Sequence, residues 1–189
     1  MLGLKGLFIY AKYNTLKGLQ LKGEDKMKVL NPEHIRKLMV FSNSSPFASL
    51  LGMKVVEVDL GSCKVEMEVK EKHLNPYGGI HGGVYESLLD TATFWAIYGQ
   101  LDEGDGLTTV DLKADLLSTV SEGTLTVEAR AIKVGRTICM AEGTIKDQNG
   151  KLLTHGTSKL MVIKNLDIDM GKKLEALGIK ELPPKFLEV

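Results

Sequence analysis

One long stretch of this chain carries apolar residues at helical spacing, and most of what surrounds it alternates. From Gly82 to Gly99, the residues Val84, Leu88, Ala92 and Trp95 fall on one side, and Leu89 and Ala96 widen it. Apolar residues recurring at that spacing mark a helix face, and a helix apolar over so broad a surface needs other elements wrapped around it. The sequence supplies them as strands. Met53 to Asp59 and Cys63 to Lys70 alternate around Gly61-Ser62, with Val65, Met67 and Val69 opposite Lys64, Glu66 and Glu68, which predicts a hairpin. After the helix, Leu107 to Leu117, Thr124 to Val134, Thr137 to Lys146 and Lys151 to Ile163 read as strands, the last two joined by an Asn149-Gly150 hairpin signal. The order predicts an α+β layer architecture, one helix laid across a curved antiparallel sheet with a meander of three or four strands. It does not alternate in βαβ fashion, which excludes dinucleotide-binding folds. The glycine-rich run before the helix also lacks the Lys-Ser/Thr pair of a phosphate loop.

Upstream, Asn31-Pro32-Glu33 joins a capping side chain, a proline at the first helical position and an early acid, so a helix starts there. Ser42 to Ser45 breaks it, and the PFASLLG run makes a second short turn ending at Gly52. With 189 residues the chain has room for one ordinary domain. The expected division is a flexible extension over 1–26, a folded domain over 27–164 and a polar tail over 165–189, with a short helix at Gly171 to Leu177. Lys+Arg and Asp+Glu balance at 24 each, so the basic excess of a nucleic-acid binder is missing. No apolar run approaches the ~18 residues of a membrane span. Cys63 and Cys139 form no CxxC pair and sit in strand-like runs; buried thiols in a reducing cytoplasm are expected, not a disulfide framework. No metal-ligand spacing is present, and neither a metal nor an organic cofactor is expected.

The chemistry concentrates in His73 to Asp90, HLNPYGGIHGGVYESLLD. A helix opened by glycine, here at His81-Gly82, offers bare backbone N–H groups to a negatively polarised oxygen. Asp90, mid-helix among apolar neighbours, is a carboxylate partly withdrawn from water and suited to moving protons. An oxygen-polarising end plus a base points to acyl-group hydrolysis. Glycines also serve tight turns, Asn75 also serves an Asx turn, and a lone helix acid is commonly a solvated charge. Spacing adds a constraint: Gly82 and Asp90 are eight residues apart, about 12 Å along one helix at ~1.5 Å per residue. If both act on one carbonyl, a second helix must lie antiparallel beside the first, and the working unit is a two-fold oligomer.

The run Asn75-Pro76-Tyr77-Gly78-Gly79-Ile80-His81-Gly82-Gly83, followed by Leu88-Leu89-Asp90, resembles the signature of hotdog-fold acyl-CoA thioesterases of the PaaI (phenylacetate-pathway) type. The resemblance spans Pro46 to Ile163 and takes in Gly52, Thr109-Val110-Asp111-Leu112, Val134-Gly135-Arg136-Thr137 and the Asp147 to Lys151 hairpin. It implies a hotdog fold and cleavage of an acyl-CoA to free acid and CoA, with coenzyme A as part of the substrate, in a homodimer or a dimer of dimers. It further implies that Asp90 activates water or attacks the carbonyl, and that the Gly82 N–H holds the oxyanion. Asn75 would hold the carbonyl or the loop, His81 would orient Asn75, and Thr109 would position water. Gly135 and Arg136 would contact the coenzyme, the guanidinium suiting a phosphate. An acyl-CoA-sensing module without catalysis and a dehydratase or hydratase on the same fold are the alternatives. Glu86 departs from the family pattern, which places an apolar or small residue at that helix position.

Overall fold

The computed structural model describes residues 19–20, 27–166 and 171–188; the rest of the expected flexible extension lies outside the described residues. In chain order the elements are β1 (Leu19–Gln20), β2 (Met27–Leu30), α1 (Pro32–Asn43), α2 (Pro46–Leu51), β3 (Met53–Asp59) and β4 (Ser62–Glu68). Then come α3 (Gly82–Tyr98), β5 (Gly106–Leu116), β6 (Thr124–Lys133), β7 (Ile138–Lys146), β8 (Leu152–Ile163), α4 (Gly171–Ala176) and β9 (Phe186–Glu188). A six-stranded sheet runs in the order β3-β4-β6-β7-β8-β5, and a small sheet joins β1, β2 and β9.

The helix starts follow from local chemistry. The Asn31 side chain accepts the Glu33 N–H at 3.0 Å ahead of Pro32, and Ser45 caps α2 ahead of Pro46. Gly52, at φ 72°, ends α2 in the left-handed region that glycine adopts at little cost. β3 and β4 form the expected hairpin, and β6, β7 and β8 form the meander. β5 stays out of it, pairing antiparallel with β8 at the far edge of the sheet. The reason is α3, which packs on strands from β3 through β8; it carries the chain across the whole sheet, so β5 enters on the opposite edge from β3.

Leu88, Leu89, Ala92, Ala96 and Ile97 of α3 are fully buried, each large side chain contributing about 1.5–3 kcal/mol by leaving water. The sheet makes room for them. Gly143 of β7 faces Gly156 of β8, and a Cβ on either would sit 3.0 Å or 2.7 Å from a Leu89 methyl. Two glycines side by side thus form the trough that receives Leu89. Beyond β8 the chain turns back: α4 buries Leu174, and Pro183 to Phe186 lie against α1 and the end of α3. Cys63 and Cys139 are buried and unpaired with each other. Among the described residues no helix is long and apolar enough to cross a membrane.

Candidate active site

Asp90 sits in the middle of α3, one residue past the buried Leu89. Its carboxylate is half-buried and accepts a hydrogen bond of 2.7 Å from the Thr109 hydroxyl. That contact depends on an irregularity in β5. Thr109 pairs with Leu160 and Asp111 with Lys159, so the register shifts between them and Val110 bulges outward, half-exposed. In a regular strand Thr109 and Leu112 would face opposite sides. The bulge turns both toward α3, aiming a hydroxyl at the acid while Leu112 packs on the core. Thr109 therefore fixes the carboxylate, leaving its other oxygen to a cleft of about 210 Å³ whose walls include Phe47, Met53, Thr91, Phe94 and Trp95.

The glycine loop is held by its own bonds. The Asn75 side chain accepts the Tyr77 N–H at 2.9 Å and donates to the Ile80 carbonyl at 3.4 Å, while Gly79 O accepts the Asn75 N–H. His81 caps α3, its Nδ1 accepting the Gly83 N–H at 3.0 Å. Among the described residues His81 and Asn75 thus bond to different partners, His81 in a helix cap and Asn75 in an Asx turn. Underneath, the His73 carbonyl accepts the His81 N–H at 2.8 Å and its Nδ1 accepts the Lys70 N–H at 3.0 Å. Burial, aided by the nearby Lys72 and Lys70 charges and opposed by the Leu51 backbone, holds the His73 imidazole below its usual range, so it is a neutral acceptor.

With His81 taking the Gly83 N–H, the Gly82 N–H stays at the first helical position without an intrahelical acceptor. Gly82 lines a second cleft of about 450 Å³, shared with Asn75, Tyr77, Tyr85 and Leu116. Burial pushes the Tyr85 phenol up to about 12, so it remains a donor, here to the Ser118 carbonyl at 3.3 Å. Gly82, Asn75 and His81 are thus together, Asp90 and Thr109 are together, and among the described residues Gly82 and Asp90 line different clefts. Glu86, between them on α3, is exposed. Gly135 and Arg136 lie in the exposed β6–β7 turn. Cys139, three residues past Arg136, shares a row with Leu160 and Thr109 across the sheet, so the turn lies at the Asp90 end. His155 points to the outer face, 3.3 Å from Glu142.

The cleft walls went unassigned as site residues at the level of sequence, where Trp95 read as part of the apolar helix face and Phe47 as part of a short turn. No spacing links Phe47 to Asp90; the packing of α2 against β3 sets both on one cleft.

A long helix wrapped by a six-stranded antiparallel sheet defines the hotdog fold. A profile of the family described as Thioesterase superfamily matches residues 77–154. The 1,4-dihydroxy-2-naphthoyl-CoA hydrolase of Listeria monocytogenes is 30% identical over 103 residues, covering 54% of this chain and 84% of that protein. A putative esterase of Haemophilus influenzae is 30% identical over 122 residues, 65% of this chain and 87% of that protein. Among solved structures, a thioesterase from Haemophilus influenzae superposes with a TM-score of 0.63 at 28% identity, over 68% of this chain and 90% of its own. The E. coli PaaI protein of the phenylacetic acid degradation operon gives 0.64 at 26% identity, over 71% and 96%. The chain belongs to the thioesterase superfamily.

Proposed function

We propose that the protein hydrolyses an acyl-CoA thioester, with Asp90 of one subunit and the Gly82 N–H of another acting on the same carbonyl. Asp90 takes a proton from water as the hydroxyl adds to the carbonyl carbon. The oxygen of that carbonyl gathers charge against the Gly82 N–H and the N-terminal end of α3. The C–S bond then breaks, and the coenzyme thiolate recovers the proton. A direct attack by the carboxylate, giving an anhydride that water cleaves, uses the same residues. Arg136 is assigned to a coenzyme phosphate. The observation carrying this reading is the Thr109–Asp90 bond, which orients an acid into a cleft separate from the one that holds Gly82.

The assembly rests on the free edge of β5. Among the described residues that strand has one neighbour, β8, and its other edge runs along eleven residues, flanked by half-exposed Val110, Leu116 and Leu117. An uncovered edge of that length invites pairing. A second copy added antiparallel there would extend the sheet and set two α3 helices side by side in opposite directions. Tip would then face middle twice.

Mixed oligomers test this. Asp90→Asn removes the acid. Gly82→Pro removes the N–H, and proline suits the first helical position, the more so because His81 already has the extended backbone that precedes proline (φ −71°, ψ 134°). Each variant alone should release little thiol from acyl-CoA. Refolding the two together should restore turnover, since a mixed pair holds one site with both groups intact. If mixing restores nothing although mixed oligomers form, the shared site is wrong.

A further inference from the structure

Resting on that hydrolytic reading, we infer that the cleft between Phe47 and Trp95 receives the acyl group and sets an upper limit on its size, making the protein selective for compact acyl thioesters. The first observation is placement: the cleft that takes the Asp90 carboxylate is walled by Phe47 of α2, Phe94 and Trp95 of α3 and Met53 of β3. An acyl carbon bonded to the carbonyl under attack has this apolar space beside it.

The second is volume. At about 210 Å³ the cleft is somewhat larger than the roughly 150 Å³ cavity that accepts a benzene ring, so it takes about eight non-hydrogen atoms. The end wall is firm. Trp95 packs edge-on against Phe94 at 5.2 Å and against Tyr98 at 5.2 Å. Behind it, Ile35, Leu38 and Val58 leave no space for a water molecule. A longer chain meets packed core there rather than a channel.

The third is that the movable-looking wall is pinned. Phe47 and Leu50 are more than half exposed on a helix of six residues, yet α2 is fixed at both ends. Asn43 clamps the approach to α2 onto β3, donating to the Val55 carbonyl at 3.0 Å and accepting its N–H at 2.8 Å. The Gly52 N–H closes the helix on Ala48 O at 2.7 Å, and the Lys72 ammonium donates to Leu50 O. A large aromatic left half in water on a fixed helix gains contact when an apolar ligand lies against it. Phe47 is thus a specificity-determining residue, one that grips acyl groups short enough to end at Trp95.

Thiol release from butyryl-, hexanoyl-, decanoyl- and palmitoyl-CoA by the full-length protein tests this. The expected kcat/KM peaks at hexanoyl and falls at least tenfold by palmitoyl, in the range a misfit of a few methylenes produces. Phe47→Ala should raise the decanoyl-to-hexanoyl ratio about tenfold, and Phe47→Trp should lower it. Because Phe47 is half exposed, both variants should keep the wild-type Tm, which circular dichroism checks. A wild type preferring palmitoyl-CoA, or a chain-length profile unmoved by either variant, overturns the size limit while hydrolysis itself stands. No thiol release from any of the four esters by folded protein removes the hydrolytic reading and this inference with it.

Discussion

At its N-terminal end α3 begins with two glycines beside a cleft of about 450 Å³, and the Gly82 N–H has no acceptor within the helix. At its C-terminal end the C-terminal segment is stitched across it. Lys185 is buried, with its ammonium donating to the Leu101 carbonyl at 2.9 Å and lying 3.9 Å from the centre of the Tyr98 ring. The Tyr98 hydroxyl meets His34 Nε2 at 3.0 Å, and His34 Nδ1 donates to the Pro183 carbonyl at 2.7 Å. Asn31 donates to the carbonyls of both Pro184 and Lys185. A cation at a helix C-terminus complements the macrodipole there. Burial holds His34 below its usual range, so it stays neutral and can accept from Tyr98. One end of the helix keeps polar groups available, and the other has satisfied them. Changes at the first should therefore alter rate without stability, and changes at the second should do the reverse.

Asp90→Asn is the largest expected breach. Removing a general base costs about 10²–10⁴-fold in kcat, and Tm should not move; thiol release alongside thermal unfolding measures both. An inactive variant that is also unfolded would mean that Asp90 belongs with the structural end.

At the other end, burial pushes the Lys185 amine down to about 8 from 10.5, against the opposing pull of Glu103, Asp102 and Asp105. Between pH 8 and 10 the unfolded chain holds a proton that the folded chain has shed, so stability rises with pH across that window. The rise on this account is on the order of 2–3 kcal/mol, measured by denaturant titration at several pH values. Lys185→Met should flatten it and leave specific activity unchanged. An equally steep climb in the variant would place its source elsewhere.

Thr109→Val sharpens the contrast from the site side. Losing the bond to Asp90 frees the carboxylate to rotate, and kcat should fall about tenfold, or about 1.4 kcal/mol, with KM and Tm little changed. Tyr98→Phe is the smallest: it removes the His34 partner and should cost about 1 kcal/mol of stability, with turnover as in wild type. A rate loss in Tyr98→Phe would show that the two ends communicate.

Much of this was legible from residues alone, and the reasons are local. Helix caps and strand alternation are written in neighbouring positions, so α1, α3 and the β3–β4 hairpin stand within a residue or two of where the sequence puts them. The Asn75 to Gly83 loop announced itself through Asn-Pro and paired glycines. The Thr109–Asp90 pair rested on resemblance, since nothing in the spacing of residues 90 and 109 foretells a contact; a bulge at Val110 makes it. Phe47 at the Asp90 cleft and the edge position of β5 were equally out of reach.

Sequence by itself settled the main helices and the strands of the six-stranded sheet, though not the small strands at Met27–Leu30 and Phe186–Glu188, and that the glycine tip and the acid ride on one helix about 12 Å apart. Both follow from interactions reaching no farther than a turn or a strand neighbour. Only the tertiary structure decided which cleft each group enters, which wall confronts the acid, and that the last residues fasten the far end of α3. Those depend on contacts between segments as far apart as Leu101 and Lys185, and packing between distant segments leaves no periodic mark in the chain.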